Sequence, residues 1–207
     1  MSNYILAHTK IATNCLWHNG KLISKIDKTN SSNTFFEEVY KSLNISYPKF
    51  FKMDGLSKLG ILCAELILKD ENINQLFPKE TTAIVLSNKN SSLQTDVAYS
   101  KTINDFPSPS LFVYTLSNIV TGEIAIKHKI TGENAFFIEP KFNAELLHNY
   151  TELLLKDNDA ALCGWLNIDE KTCEGFLYFV AKQSAADEKK INFIKHNPVN
   201  ITNLYIN

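Results

Sequence analysis

Residues 117–142 place the tightest constraint on what this chain can fold into. Ser117 or Asn118 can cap a helix running to about His128, Gly132 breaks it, and 134–138 (NAFFI) reads as a strand. A helix that empties through a glycine turn into a short apolar strand is one piece of a strand–helix alternation, and the rest of the chain repeats it. The run TTAIVL at 81–86 is continuously apolar after its two threonines, as in a central strand covered on both faces, and it ends in a Ser/Asn-rich loop at 87–92. AALCGWLNI at 160–168 and GFLYFVA at 175–181 predict two strands meeting across the turn Asp169, Glu170, Lys171.

A first strand is expected over 4–10, followed by a polar loop through the turn dipeptide Asn19-Gly20. Thr34, with Glu37 three residues on, has the capping-box pattern of a helix start, and Phe35, Phe36, Val39, Tyr40 and Leu43 give that helix an apolar face. The segment 55–69 is apolar over a wide arc, as for a helix pressed on a sheet, and 143–156 predicts a further helix. Beyond a polar stretch at 183–190, two short β-like pieces are expected at 191–194 and 201–206. Strands alternating with helices and closing in a hairpin imply α/β with a mixed sheet. One domain is expected over 1–182, with the tail 183–207 packed on it.

Composition narrows the function classes. The 207 residues hold one sizeable core, and 44% hydrophobic content with 13 Phe and 8 Tyr belongs to a folded globular chain. A net charge of −1 offers no field to gather nucleic acid or anionic lipid, and every one of the 21 basic residues is Lys. Without Arg the chain lacks the usual fork for bidentate carboxylate or phosphate recognition. No apolar run is long enough to cross a bilayer, and the first residues lack a signal-peptide pattern. Cys15, Cys63, Cys163 and Cys173 have no CxxC or CxxH spacing, so no metal site and no cofactor are expected, and reduced thiols suit a cytoplasmic setting.

The order of four segments carries a resemblance. Residues 47–68 (YPKFFKMDGLSKLGILCAELIL) place a Met-Asp pair before a long helix, and 87–96 follow the second long strand as a polar loop. Residues 116–126 (LSNIVTGEIAI) set an Asn, a Gly and apolar residues ahead of NAFFI, and 171–180 (KTCEGFLYFV) hold a Glu-Gly pair in a strand. Across 1–181 the chain resembles the N-terminal half of a β-ketoacyl-[acyl-carrier-protein] synthase. The resemblance implies a single thiolase-like αβαβα half-domain with a five-stranded mixed sheet flanked by helices. In that family the strand equivalent to NAFFI delivers a nucleophilic Cys. Here it runs into Glu139, Pro140, Lys141 and Phe142, and the Cys position falls near Lys141. The family's second half, which supplies two histidines and a lysine, has no counterpart in the length.

No catalytic residue is therefore assigned. Lys141 would need desolvation or a neighbouring cation to act as a nucleophile, and Glu139 is beside it. Cys63 and Cys163 read as small buried thiols in a helix and a strand. Cys15 and Cys173 remain the alternatives for a relocated nucleophile, although the sequence shows no positioned base. His8, His18, His128 and His148 are scattered over separate elements. The helix after NAFFI puts Asn143, Glu145, His148, Asn149 and Glu152 on one side, so that face is expected to meet water or a polar partner. The resemblance implies a catalytically silent, chain-length-factor-like or accessory subunit of an acyl-carrier-protein-dependent fatty-acid, polyene or pigment pathway. Its expected partners are a second copy, a full-length ketosynthase or an acyl carrier protein. Asn118, Gly122 and Gly132 would maintain packing, and Phe136 and Phe137 an interface. The alternative is a small acyltransferase or condensing enzyme using a relocated Cys or a partner's residues.

Overall fold

A computed structural model describes residues 2–12, 14–26, 32–69, 73, 77–169, 172–182 and 194–207. Its strands are β1 (Asn3–Ala12), β2 (Cys15–His18), β3 (Lys21–Lys25), β4 (Thr82–Asn88), β5 (Asn134–Ile138), β6 (Ala160–Ile168), β7 (Cys173–Lys182) and β8 (Ile194–Lys195). Its α-helices are α1 (Ser32–Ser42), α2 (Gly55–Leu68), α3 (Leu93–Ser100), the single turn α4 (Pro109–Phe112), α5 (Ile119–His128), α6 (Ala144–Leu154) and α7 (Pro198–Ile206). The sheet runs β3-β2-β1-β7-β6-β4-β5, with β8 also on β1. β4 is parallel to β5 and to β6, whereas β7 is antiparallel to both β6 and β1.

Five of these strands, β1, β4, β5, β6 and β7, are the expected mixed sheet, and among the described residues three short ones extend it to eight. The extra β2 and β3 form a hairpin across Asn19-Gly20, where a plain loop was expected; both turn residues have positive φ, 49° and 76°. β8 adds two residues to the edge of β1.

Two cores lie on the two faces of the sheet, and the two-residue period of the strands sorts side chains between them. Ile84, Leu86, Leu162, Leu166, Leu177 and Phe179 face one core, with α1, α2 and α5 over them. Ala83, Val85, Ala161, Cys163, Phe176, Tyr178 and Val180 face the other, under α6 and α7. A fully buried Leu, Val or Phe contributes roughly 1.5–3 kcal/mol by leaving water, so the unbroken apolar runs of β4 and β6 are what fix them in the centre. Every residue of both strands is buried.

Gly60 lets α2 close on α5: a Cβ there would run into Val120, with Leu166 behind it. The same helix pair is stapled by Glu65, 1% exposed, which takes Lys127 Nζ at 2.5 Å and Lys69 Nζ at 2.7 Å, with His128 Nε2 at 3.5 Å. Burial alone would raise the Glu65 carboxyl, but hydrogen bonds from Lys127 and Lys69 outweigh it and hold it below the usual value. Burial lowers His128 to about 4, with Lys127 nearby adding to the shift against the opposing pull of Glu65, so the ring is neutral at pH 7.

Two local expectations are corrected. Helix α1 starts at Ser32, two residues before Thr34, so Thr34 lies inside the helix. The segment 201–206 is helical, not β-like: Asn197 caps α7 by accepting from Asn200 N at 2.8 Å, and Pro198 is at its first turn. A six-residue run of apolar and polar residues does not separate strand from helix, and the Asn-Pro start decides for helix. Of the piece expected at 191–194, residues 191–193 lie outside the described residues, as do Glu170 and Lys171 of the hairpin turn. Among the described residues, no helix is long and apolar enough to cross a membrane.

Candidate functional site

The parallel strands β4, β5 and β6 end on the same side of the molecule, and the chain reverses its winding between β4 and β6. From β4 it reaches β5 through α5 on one face; from β5 it returns across β4 to β6 through α6 on the other. Such a reversal opens a crevice outside the carboxyl ends of the strands, the usual ligand position in α/β sheets. Here an open cleft of about 710 Å³ lies there, lined by Lys89, Asn90, Leu93, Gln94, Val97, Ile168 and Asp169.

The loop after β4 and the start of α2 beside the cleft are held by hydrogen bonds. Asn88 folds the loop after β4 with two bonds to Ser91, Oδ1 accepting from the backbone N at 2.9 Å and Nδ2 donating to the carbonyl at 2.8 Å. Asn167 Oδ1 accepts from Lys89 N at 3.3 Å, tying the loop to β6. Asp54 caps α2 through Ser57 N at 2.9 Å and takes a second bond from Thr95 Oγ1 at 3.0 Å. Burial raises the Asp54 carboxyl in spite of these bonds. Leu93 and Val97 expose about half their surface into the cleft. Half-exposed Leu93 and Val97 beside Ile168 give the cleft an apolar surface suited to an extended apolar group or a partner's side chains, with Lys89, Asn90, Gln94 and Asp169 around it.

The expected site residues sort as follows. Lys141 lies at this end of the molecule, in the turn between β5 and α6, with its side chain exposed. It lacks the desolvation that would make an ammonium nucleophilic. Its neighbour Glu139 is committed to the α6 cap, Oε2 accepting from Asn143 Nδ2 at 2.8 Å. Cys173 stands beside Ile168 at the cleft end, where burial, helped by Glu174, pushes its thiol up to about 12. Cys15 is half-buried on the outlying β2. Cys63 and Cys163 are fully buried, and burial raises both thiols, Cys163 to about 12.

Gly132 is required by packing, since a Cβ would collide with the Thr82 carbonyl where the chain enters β5. A Cβ at Gly122 would meet open space, and the Asn118 side chain makes no capping bond to α5 although Asn118 occupies the cap position. Phe136 packs on the α2/α5 core, whereas Phe137 packs edge-on against Tyr150 of α6, with ring centroids 4.9 Å apart. Both are half-buried on a strand that ends the sheet.

The polar side of α6 divides. Glu145 and Asn149 are exposed, whereas His148 and Glu152 lie against His196, just before α7. His196 had no role in the sequence reading. The spacing of His148 and Glu152, four apart on a helix, was the only available signal, and its third member lies 44 residues further on.

No family model matches the chain, and no curated protein matches it in sequence. Solved structures do match in shape. One is a type II polyketide-synthase acyl-carrier protein in complex with its ketosynthase bound to the hexaketide (TM-score 0.65, 12% identity, over 93% of this chain and 65% of that one). Another is a ketosynthase in complex with its chain length factor from Xenorhabdus doucetiae (TM-score 0.57, 12% identity, 88% of this chain and 79% of that one). A third is the ketosynthase from module 6 of the bacillaene synthase of Bacillus subtilis (TM-score 0.61, 9% identity, 93% of this chain and 39% of that one). The chain thus spans 65% of the first and about two fifths of the third. At these identities the likeness shows the fold alone, a mixed sheet flanked by helices like that of these ketosynthase structures.

Proposed function

We propose that this protein is a catalytically silent, ketosynthase-like accessory subunit that pairs with a ketosynthase or with its own copy, in the manner of a chain length factor. The observation that carries this reading is the state of β5. It is the last strand of the sheet, its sequence NAFFI has no charge, proline or bulge, and its Phe pair is only half-buried. An edge of that kind is an aggregation hazard unless another strand or chain covers it. Exposed Phe106, Phe112 and Leu116, in the segment leading to α5, add apolar surface of the sort an obligate interface buries.

Silence in catalysis is supported after β5, where Lys141, near the position that the resemblance gives the family nucleophile, is exposed. The raised thiols of Cys63, Cys163 and Cys173 point the same way. The cleft beside β4 and β6 would then receive an acyl chain or a partner's apolar side chains. An acyl carrier protein is a further partner on this reading, and the pathway class is fatty-acid, polyene or polyketide synthesis.

The competing reading is an acyltransferase that uses Cys15 or Cys173. An acyl-thioester probe separates the two. The proposal expects no covalent adduct on any of the four cysteines while the chain co-purifies with a full-length ketosynthase. A stoichiometric adduct on Cys15 or Cys173, with no association, would reverse it.

A further inference from the structure

Helix α6 and the segment before α7 bring three metal-binding side chains to one point. Glu152 Oε1 is 2.7 Å from His196 Nδ1, and His148 Nδ1 is 3.3 Å from the same atom. All three ligand atoms lie within 4.8 Å of one another. The elements hold them there for separate reasons. His148 and Glu152 are one helical turn apart on α6, so their side chains share a face. His196 is fixed by the β8–β1 ladder, which its own N–H continues by donating to the Asn3 carbonyl at 2.9 Å.

Hydrogen bonds alone leave this arrangement unbalanced. One proton on His196 Nδ1 serves Glu152 or His148 well but not both, because a ring N–H points in a single direction. A dication at the centre takes a lone pair from all three. For zinc bonds of about 2.0–2.1 Å, tetrahedral ligands lie about 3.3 Å apart. The two ring nitrogens already have that separation. The 2.7 Å hydrogen-bonded pair of Glu152 and His196 opens by about 0.6 Å when the ion replaces the shared proton.

A supporting shell is also present. Asn3 Nδ2 donates to the other carboxylate oxygen, Glu152 Oε2, at 2.9 Å. The far nitrogen of His196, Nε2, faces the hydroxyl of fully buried Tyr178 at 3.5 Å. A proton on Nε2 held by that hydroxyl leaves Nδ1 free to ligate, the second-shell device that sets the tautomer of metal-bound histidines. The His196 side chain is completely enclosed, while 35% of the Glu152 side chain is open to solvent, which gives an ion a way in and a water a fourth position.

We propose that His148, Glu152 and His196 bind a borderline divalent transition metal of the zinc class, fastening residues 194–207 over α6. Two imidazoles and one carboxylate suit zinc and exclude the all-oxygen preference of calcium and magnesium. The site is remote from the cleft, so it stands or falls independently of the accessory-subunit reading.

Cobalt(II), a spectroscopic stand-in for zinc, tests the site on the chelator-treated full chain. One cobalt per chain with the intense visible bands of four-coordinate cobalt, displaced by added zinc, is the expected result. His148→Ala and Glu152→Gln, each checked for fold by circular dichroism, should weaken binding at least about tenfold and abolish the rise in melting temperature on adding zinc. His18→Ala on β2 should change neither. Absence of stoichiometric binding to the parent chain, or binding that survives both α6 substitutions, would overturn the site.

Discussion

The two ends of the sheet are built to opposite rules. β3 closes one end with Lys21 and Lys25 at its two tips, and the β2–β3 register slips between Leu16 and Trp17. Terminal charges and an irregular register are how proteins keep strange strands from adding to an edge. β5 closes the other end with NAFFI in unbroken parallel register on β4. Its backbone is left open in a definite way: Glu133 O accepts from Ile84 N at 2.9 Å and Glu139 N donates to Asn88 O at 2.8 Å. Since alternate residues of a parallel strand bond to the same neighbour, the groups of Asn134, Phe136 and Ile138 point away from the sheet. One edge is guarded and the other is left open.

The largest blow to this contrast comes from the turn that delivers β5. Gly132→Val sets a side chain into the Thr82 carbonyl and should cost about 3 kcal/mol or more of folding stability, read as a fall in the urea midpoint. An unchanged midpoint would mean that β5 is not held by this close approach.

Acid should sharpen the contrast next. Each flank has a histidine kept neutral by burial at a pKa of about 4: His8 on β1, where His18 adds repulsion, and His128 at the end of α5. The unfolded chain binds these protons near 6.5 and the folded chain only near 4, so stability is full above 6.5 and falls as pH drops toward 4. For His128 the loss by pH 4.5 is about 2.5 kcal/mol. His128→Gln should flatten that part of the curve, and a pH profile identical to the parent chain would exclude the ring as its source.

The smallest effect is the most specific. Ile138→Pro removes an outward N–H from a half-exposed side chain without touching the β4 ladder, so folding should change by less than about 1 kcal/mol. Association through β5 should weaken about tenfold, as expected for one lost interface bond. Ile23→Pro on the guarded edge should leave association unchanged. Equal effects at both ends would erase the distinction.

Much of this frame was readable because its signals are local. The buried runs of β4 and β6 and the glycine before β5 each specify their element within a few residues. The order of those elements then pointed to the mixed sheet flanked by helices that the structure shows. What escaped depended on distance or on weak polarity. The β2–β3 hairpin is short and half polar, so its only mark was Asn19-Gly20. Segment 201–206 has no periodicity to separate helix from strand. His196 reaches Glu152 only because β8 adds to β1, a pairing that two residues cannot announce. The cleft lies between the ends of β4 and β6, whose paired residues such as Thr82 and Ala160 are far apart in the chain, and no motif marks such a meeting.

Sedimentation equilibrium of the full chain, alone and mixed with a full-length type II ketosynthase, addresses the role of β5 most directly. The account predicts a dimer, with itself or with the ketosynthase, that dissociates at higher concentration in Ile138→Pro and not in Ile23→Pro. A monomer at high concentration in both samples, or a dimer indifferent to Ile138→Pro, would contradict it.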